Sequence, residues 1–443
     1  MIATSKASGK EIFGWGMFDF ANQAFTLLII TVIFGDLYTR VIVGDGPDYR
    51  LGNWLWSLAL CASYLLVVLT APLLGAVMDY TRSKKQFLFI SYIATVILTA
   101  LLVFVQPGFV WLGFFLVLLA NYAYSVGESF IAAFLPFLGS AGEQGKISGF
   151  GWALGYAGGL AAAGFALLFL GEVSAENFER VRWVGPFAAA FFLLAAIPTF
   201  LWVKEPIVGK KRPLRTRYFA VGYRRMFETV RAVADFKDLA WLFASIFLAM
   251  AGVYVIIAFA FIYGAQVIGW DEATRNLMFV TVQITALTGA LFFGWIQTRF
   301  GGKRAYGATL LLWIVAIFAI VGVRELTDFI NAALGSDYAV QSIFLVAGVL
   351  SGLSLGSSQA TGRALVGVFS PPAKAAEFFG FWGLFSKLAA VFGLFGVGLL
   401  QWVFGLEGAV LFCAALFGLS LIPLYLVNEA RGQSAAENYR ASS

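Results

Sequence analysis

The chain alternates long apolar runs with short polar interruptions, and the runs share one length. Twelve of them lie at roughly 12–36, 53–76, 87–106, 109–136, 147–171, 183–203, 239–268, 276–297, 305–323, 340–366, 377–402 and 408–427. Each holds about 20 residues or more. At ~1.5 Å per helical residue that is enough to cross the ~30 Å hydrocarbon core of a bilayer. The pattern predicts an all-α membrane protein with twelve spans. The longest stretch without such a run is 204–238. Within it Phe219, Tyr223, Met226, Phe227, Val230 and Val233 fall at helical spacing, with Arg224, Arg225 and Arg231 between them. This is the pattern of an amphipathic helix on a membrane surface.

Composition removes the soluble alternatives. The 443 residues are 60% hydrophobic and only 12% charged, which excludes a set of two or three water-soluble domains. The net charge of +6 is no nucleic-acid signal, because the bases sit in short loops between apolar runs. With the N-terminus inside, 22 Lys and Arg fall on the inner side, against six on the outer side. Both termini and the 204–238 linker are therefore expected in the cytoplasm. The protein would then be multi-pass, in the inner membrane if bacterial. Cys61 and Cys413 both lie within apolar runs, and there is no histidine. Neither a disulfide framework nor a metal centre is indicated, and no cofactor is expected. The first run carries Asp19 and Asn22 and lacks a small-residue cleavage site, so it is expected to stay as the first span.

The two halves repeat. Gly75-Ala-Val-Met-Asp79-Tyr-Thr-Arg82-Ser-Lys84-Lys85 closes the second run, and Gly294-Trp-Ile-Gln-Thr298-Arg299-Phe-Gly-Gly-Lys303-Arg304 closes the eighth, at an offset of 219. Further on, Glu128 through Gly149 aligns with Gln359 through Gly380 at an offset of 231. The additional twelve residues are assigned to a longer loop before the tenth run. The expected organisation is a six-helix bundle over 1–203, a basic linker over 204–238, and a second six-helix bundle with a short tail over 239–443.

Glycine, aspartate four residues on, then a basic cluster resembles the signature loop of the major facilitator superfamily, and the chain carries it twice. The second copy has Thr298 in the aspartate position. Phe18-Asp19-Phe20-Ala21-Asn22-Gln23-Ala24-Phe25, Ser148 to Gly159, Gln359-Ala-Thr-Gly-Arg363 and Phe378 to Trp382 running into Ser386-Lys387 resemble the branch of vacuolar amino-acid effluxers and their bacterial relatives. Ala132 stands where that branch leads one to expect asparagine. The resemblance implies the major facilitator fold, two pseudo-symmetric six-helix bundles that rock about a central site. It also implies gating by Gly75, Asp79, Arg82, Arg299, Lys303 and Arg304.

Four charges lie deep in the runs: Asp19, Glu128, Arg363 and Lys387. Counted from the flanking polar residues they share a depth near mid-membrane. Each would cost ~2.5–3.5 kcal/mol facing lipid at a helix centre. They are therefore expected to face water or one another, with Asn22 and Gln359 on the faces of Asp19 and Arg363. Such a set serves either as a structural ion-pair network or as a site for a polar solute or a proton. The reading favoured by these residues is a secondary transporter for a small polar or zwitterionic, amino-acid-like solute. Its partners would be that solute, protons and membrane lipids, with no nucleic acid, and it would act as a monomer. The alternatives are a membrane-embedded enzyme, for which histidine and metal ligands are missing, and a non-transporting receptor or assembly factor. No Walker-type phosphate loop is present to support ATP-driven transport.

Overall fold

In lipid every backbone amide and carbonyl must be satisfied within the chain, so apolar runs of this length fold as helices. The computed structural model describes residues 7–44, 46, 49–171, 173–206, 218–231 and 236–439. Among these, eleven helical stretches are long and apolar enough to span a bilayer: Gly9–Val43, Arg50–Thr81, Lys84–Phe104, Val110–Leu138, Phe178–Trp202, Lys237–Ile257, Ala273–Phe300, Gly302–Val321, Val340–Phe369, Pro372–Gly393 and Val403–Leu426. A further helix of 26 residues, Gln144–Phe169, stands at the fifth expected run. The spans are numbered one to twelve in chain order. Span 1 widens into π-helical turns at Phe25–Val32 and Tyr38–Val43. Spans 11 and 12 run on as one helical stretch, broken only by Gly405 at φ 71°.

The chain divides into two compact units. The first comprises Met1–Leu138, Leu154–Glu228 and Pro372–Leu384; the second comprises Gly139–Ala153, Thr229–Pro371 and Phe385–Ser443. The beginning of span 11 thus belongs to the first unit and the beginning of span 5 to the second.

Each unit is tied at one end by the same polar clasp. In the first unit the Lys204 amide donates to Glu11 (3.1 Å), and the Glu205 carboxylate accepts the amides of Lys84 (2.7 Å) and Lys85 (2.8 Å). The Lys85 ammonium donates to the Val203 carbonyl (2.7 Å), at the end of span 6. In the second unit the Asn428 amide donates to Asp238 (2.7 Å), and Glu429 accepts the amides of Gly302 (2.7 Å) and Lys303 (3.0 Å). The Lys303 ammonium donates to the carbonyls of Tyr425 (2.8 Å) and Val427 (2.6 Å). A helix N-terminus leaves its first amides without intrahelical acceptors, and a carboxylate there satisfies two of them at once.

This correspondence corrects the loop alignment. The offset of 219 holds through the helix ends, capped by Arg82 (φ 58°) and Gly301 (φ 91°). Span 3 then starts at Lys84 but span 9 starts at Gly302, so the offset falls to 218. Lys303 therefore does the work of Lys85, not of Lys84. The larger offset further on has a structural counterpart too: a twelve-residue helix, Val323–Leu334, stands between spans 9 and 10.

The linker helix is observed at Tyr218–Arg231. Linker residues 207–217 and 232–235, and the C-terminal Ser443, lie outside the described residues.

Candidate functional site

Both deep acids belong to the first unit. Asp19 is 7% exposed on span 1, and Asn22, one turn on, is 3% exposed. The Asn22 Oδ1 has no hydrogen-bond partner among the described residues. Glu128, on span 4, is half-buried. Its Oε1 accepts from the Tyr124 hydroxyl (3.0 Å), which in turn accepts from Thr26 Oγ1 on span 1 (2.7 Å). Asp19, Asn22 and Thr26 recur at three and four residues and so share a helix face. The line Thr26, Tyr124, Glu128 thus connects span 1 to span 4. The buried hydroxyls of Ser125 and Ser129, beside Glu128, are likewise without partners among the described residues. A buried polar atom left unmatched costs ~1–3 kcal/mol. Asn22 lies one turn from Asp19, and Ser125 and Ser129 lie on the helix of Glu128, so each deep acid has such an atom on its own span.

Span 5 approaches span 1 closely here. A side chain at Gly158 would overlap the Phe20 carbonyl, whereas one at Gly155 would meet the Asp19 backbone at ordinary distance.

Both deep bases belong to the second unit. Arg363 is 3% exposed. Its Nε donates to Ser148 Oγ and its Nη2 to the Ser148 carbonyl, both at 3.0 Å, while the guanidinium lies over the Trp152 ring at 5.2 Å. Ser148 Oγ donates onward to the Ala360 carbonyl (2.8 Å), one turn before Arg363. The planar fork is thereby held in one orientation, which a lysine could not reproduce. Gln359 is half-buried on the same helix. Lys387, 8% exposed on span 11, places its ammonium over the Tyr254 ring at 5.9 Å, and the buried hydroxyl of neighbouring Ser386 has no partner among the described residues.

The loop motif builds a second cluster in the first unit. The Asp79 side chain is 1% exposed; its Oδ1 pairs with the buried Lys84 ammonium, and its Oδ2 accepts the Glu377 amide (2.8 Å). Glu377 is the third residue of its helix, an amide with no acceptor inside that helix. The fully buried Glu377 carboxylate pairs with Lys374 (3.5 Å). Gly75, one turn before Asp79, admits the Ala376 carbonyl where a side chain would overlap it, and Gly380 admits that of Ala71. Arg82 caps span 2 in the left-handed conformation.

In the second unit the glycine contacts recur but the acid does not. Gly294 admits the Gly145 carbonyl and Gly149 that of Ala290. Thr298 donates to Gly294 O of its own helix (2.9 Å). Arg299 is exposed and lies over Trp295, and Arg304 is exposed.

Of the residues that sequence spacing does not single out, Glu205, Glu429, Thr26, Tyr124 and Tyr254 join these clusters. Tyr124 had a signal, four residues before Glu128 on one helix. The two clasp glutamates had none, because they hold backbone amides far away in the chain.

The matches to known proteins agree with this architecture. A family model described as "Vacuole effluxer Atg22 like" matches residues 56–437. The chain is 25% identical over 394 residues to the uncharacterized MFS-type transporter YxiO of Bacillus subtilis (strain 168), covering 87% of this chain and 86% of that one. It is 22% identical over 414 residues to autophagy-related protein 22 of Yarrowia lipolytica (strain CLIB 122 / E 150), covering 76% and 69%. Among solved structures it resembles the proton:xylose symporter XylE, with TM-score 0.71 at 15% identity, covering 96% of this chain and 97% of that chain. The human organic anion transporter MFSD10 gives TM-score 0.69 at 16% identity, covering 95% and 99%. At these identities the structural likeness is one of fold.

Proposed function

The chain belongs to the vacuole effluxer Atg22-like family, a branch of the major facilitator superfamily, and from that premise we propose that this secondary transporter carries a zwitterionic, amino-acid-like solute. The observation that carries the reading is the sorting of the deep charges: Asp19 and Glu128 in the first unit, Arg363 and Lys387 in the second. Two acids and two bases balance when no solute is bound. A solute with one ammonium and one carboxylate can exchange with them at little net electrostatic cost. The acids take the cationic end or a proton, and the bases take the carboxylate. Asn22 and Gln359 supply neutral hydrogen bonds beside them.

The two six-span halves, 1–203 and 239–443, are taken as the bodies that exchange access. The Asp79 carboxylate on the Glu377 amide acts as a latch that must open when the start of span 11 leaves span 2. The positive charge bias supports a cytoplasmic linker and cytoplasmic termini, in the inner membrane if the source is bacterial, with a monomer as the working form.

Purified protein in liposomes tests the reading, with labelled amino acids, dipeptides and sugars offered down an imposed gradient. Flux of the zwitterions is expected, and Arg363→Lys should weaken it more than the conserved charge would suggest. Normal flux by the charge-neutral double variant Glu128→Gln with Arg363→Met would make that pair structural. Retained flux and affinity with Asp19 and Lys387 also neutralised would remove the site.

A further inference from the structure

The linker helix Tyr218–Arg231 has three sides. One faces protein: Tyr218 meets Tyr80 edge to face at 5.0 Å, and Gly222 sits where a side chain would overlap Val77 and crowd Leu73 of span 2. The Arg225 guanidinium lies over the Tyr80 ring at 5.7 Å. A second side is apolar and bare, with Tyr223 48% and Phe227 57% exposed one turn apart. The third is charged, with exposed Arg224 and Glu228 paired at 3.6 Å.

Span 2 says what lies against the bare side. Its lipid-facing stripe runs through Leu58, Leu65 and Leu69, exposed by 39%, 49% and 68%. It then stops, because Leu73 and Val77 are 5% and 0% exposed beneath the linker helix. Beyond Leu69 span 2 has no exposed large apolar residue, and the helix docked on it carries exposed Tyr223 and Phe227. Span 2 runs for 32 residues. At ~1.5 Å per residue that is about 48 Å, against a hydrocarbon core of about 30 Å. Its last turns, and the helix docked on them, therefore reach the head-group layer. Bases dominate the surrounding linker, ten against four acids over 204–238.

We infer that this helix is a binding surface for anionic phospholipid. Tyr223 and Phe227 sit among the acyl chains just below the head groups, while exposed Arg224 faces lipid phosphates. The glycine at 222 lets the helix lie flat against span 2, so the first unit carries its own lipid-anchored float.

The test uses the full-length protein with Cys61 and Cys413 replaced by alanine. A spin label at Phe227→Cys or Arg224→Cys is read in vesicles of phosphatidylcholine with or without phosphatidylglycerol. In the anionic vesicles the label at 227 is expected about 5–10 Å below the phosphates, shielded from a water-soluble relaxant, with the label at 224 accessible. Equal accessibility at the two positions overturns the inference. So does the same depth in pure phosphatidylcholine, which removes the anionic partner. Dipolar coupling between 227 labels on separate chains overturns it as well, by putting a second copy on the patch. Lipid retained by the otherwise unaltered protein gives an independent readout. Arg224→Gln should lower the enrichment of phosphatidylglycerol over phosphatidylcholine about fivefold, as ~1 kcal/mol per surface base implies, and unchanged enrichment contradicts the assignment.

Discussion

The two units make the same joint twice and lock it once. In the first, Gly75 and Gly380 each admit a carbonyl of the facing segment, and in the second Gly294 and Gly149 do so at the aligned positions. Both segments present an amide at the third residue of a helix, Glu377 in one and Lys146 in the other. Among the described residues, only the first has an acid to receive it. Asp79 accepts the Glu377 amide and pairs with buried Lys84, whereas Thr298 turns back to its own helix. Close approach is thus symmetric and the electrostatic hold is not. Packing alone suffices to form such a joint, and the proposed latch adds a charge to one of the two.

The sharpest way to break the comparison is to remove the hold. Asp79→Asn leaves the Lys84 ammonium, whose side chain is 6% exposed, without its carboxylate. Stripping one partner from a buried pair costs ~3–5 kcal/mol. The variant should therefore melt well below the wild type as well as transport differently. Thr298→Ala, at the aligned position, should change the melting temperature hardly at all. Equal shifts for the two would mean that the joints are held alike.

Next in size is the shared part. Gly75→Val and Gly294→Val each push a branched side chain into a backbone carbonyl. Overpacking of this kind costs ~1–3 kcal/mol, and under the proposed latch it also separates the helices that must come together. Transport in proteoliposomes should fall more than about tenfold in both, at roughly 1.4 kcal/mol per factor of ten. Wild-type rates in either one would show that its joint does not need to close.

The spans could be read from sequence because a bilayer demands ~20 apolar residues per crossing. The repeat was readable because glycines at carbonyl contacts leave a spacing that survives divergence. The clasps were not. Glu205 and Glu429 have no periodicity, and what they hold are amides 121 and 127 positions away, which carry no side-chain signature. The one-residue deletion was hidden for a related reason: Lys84 and Lys303 match by letter, yet Lys85 and Lys303 match by contact. The shared depth expected of Asp19, Glu128, Arg363 and Lys387 rests on counting along the helices. Which neighbours they touch does not, since Ser148 reaches Arg363 from 215 residues away.

The smallest expected effect comes from building the missing acid. Thr298→Asp places a carboxylate where Asp79 stands in the other joint, one turn beyond Gly294 and toward the Lys146 amide. An acid near a helix N-terminus is worth ~0.3–1 kcal/mol. It should not reach the strength of the original, because the lysine that completes the first latch has no counterpart. The position matching Lys84 by contact is Gly302, and Lys303 is already committed to the carbonyls of Tyr425 and Val427. Half-buried Thr298 also lets water screen the new charge. The variant should fold normally and slow transport about two- to fivefold, the range set by that energy. A speed-up would show that the second joint is strained closed in the wild type. No change would mean that opening this joint is not rate-limiting, leaving the Asp79 side to set the pace.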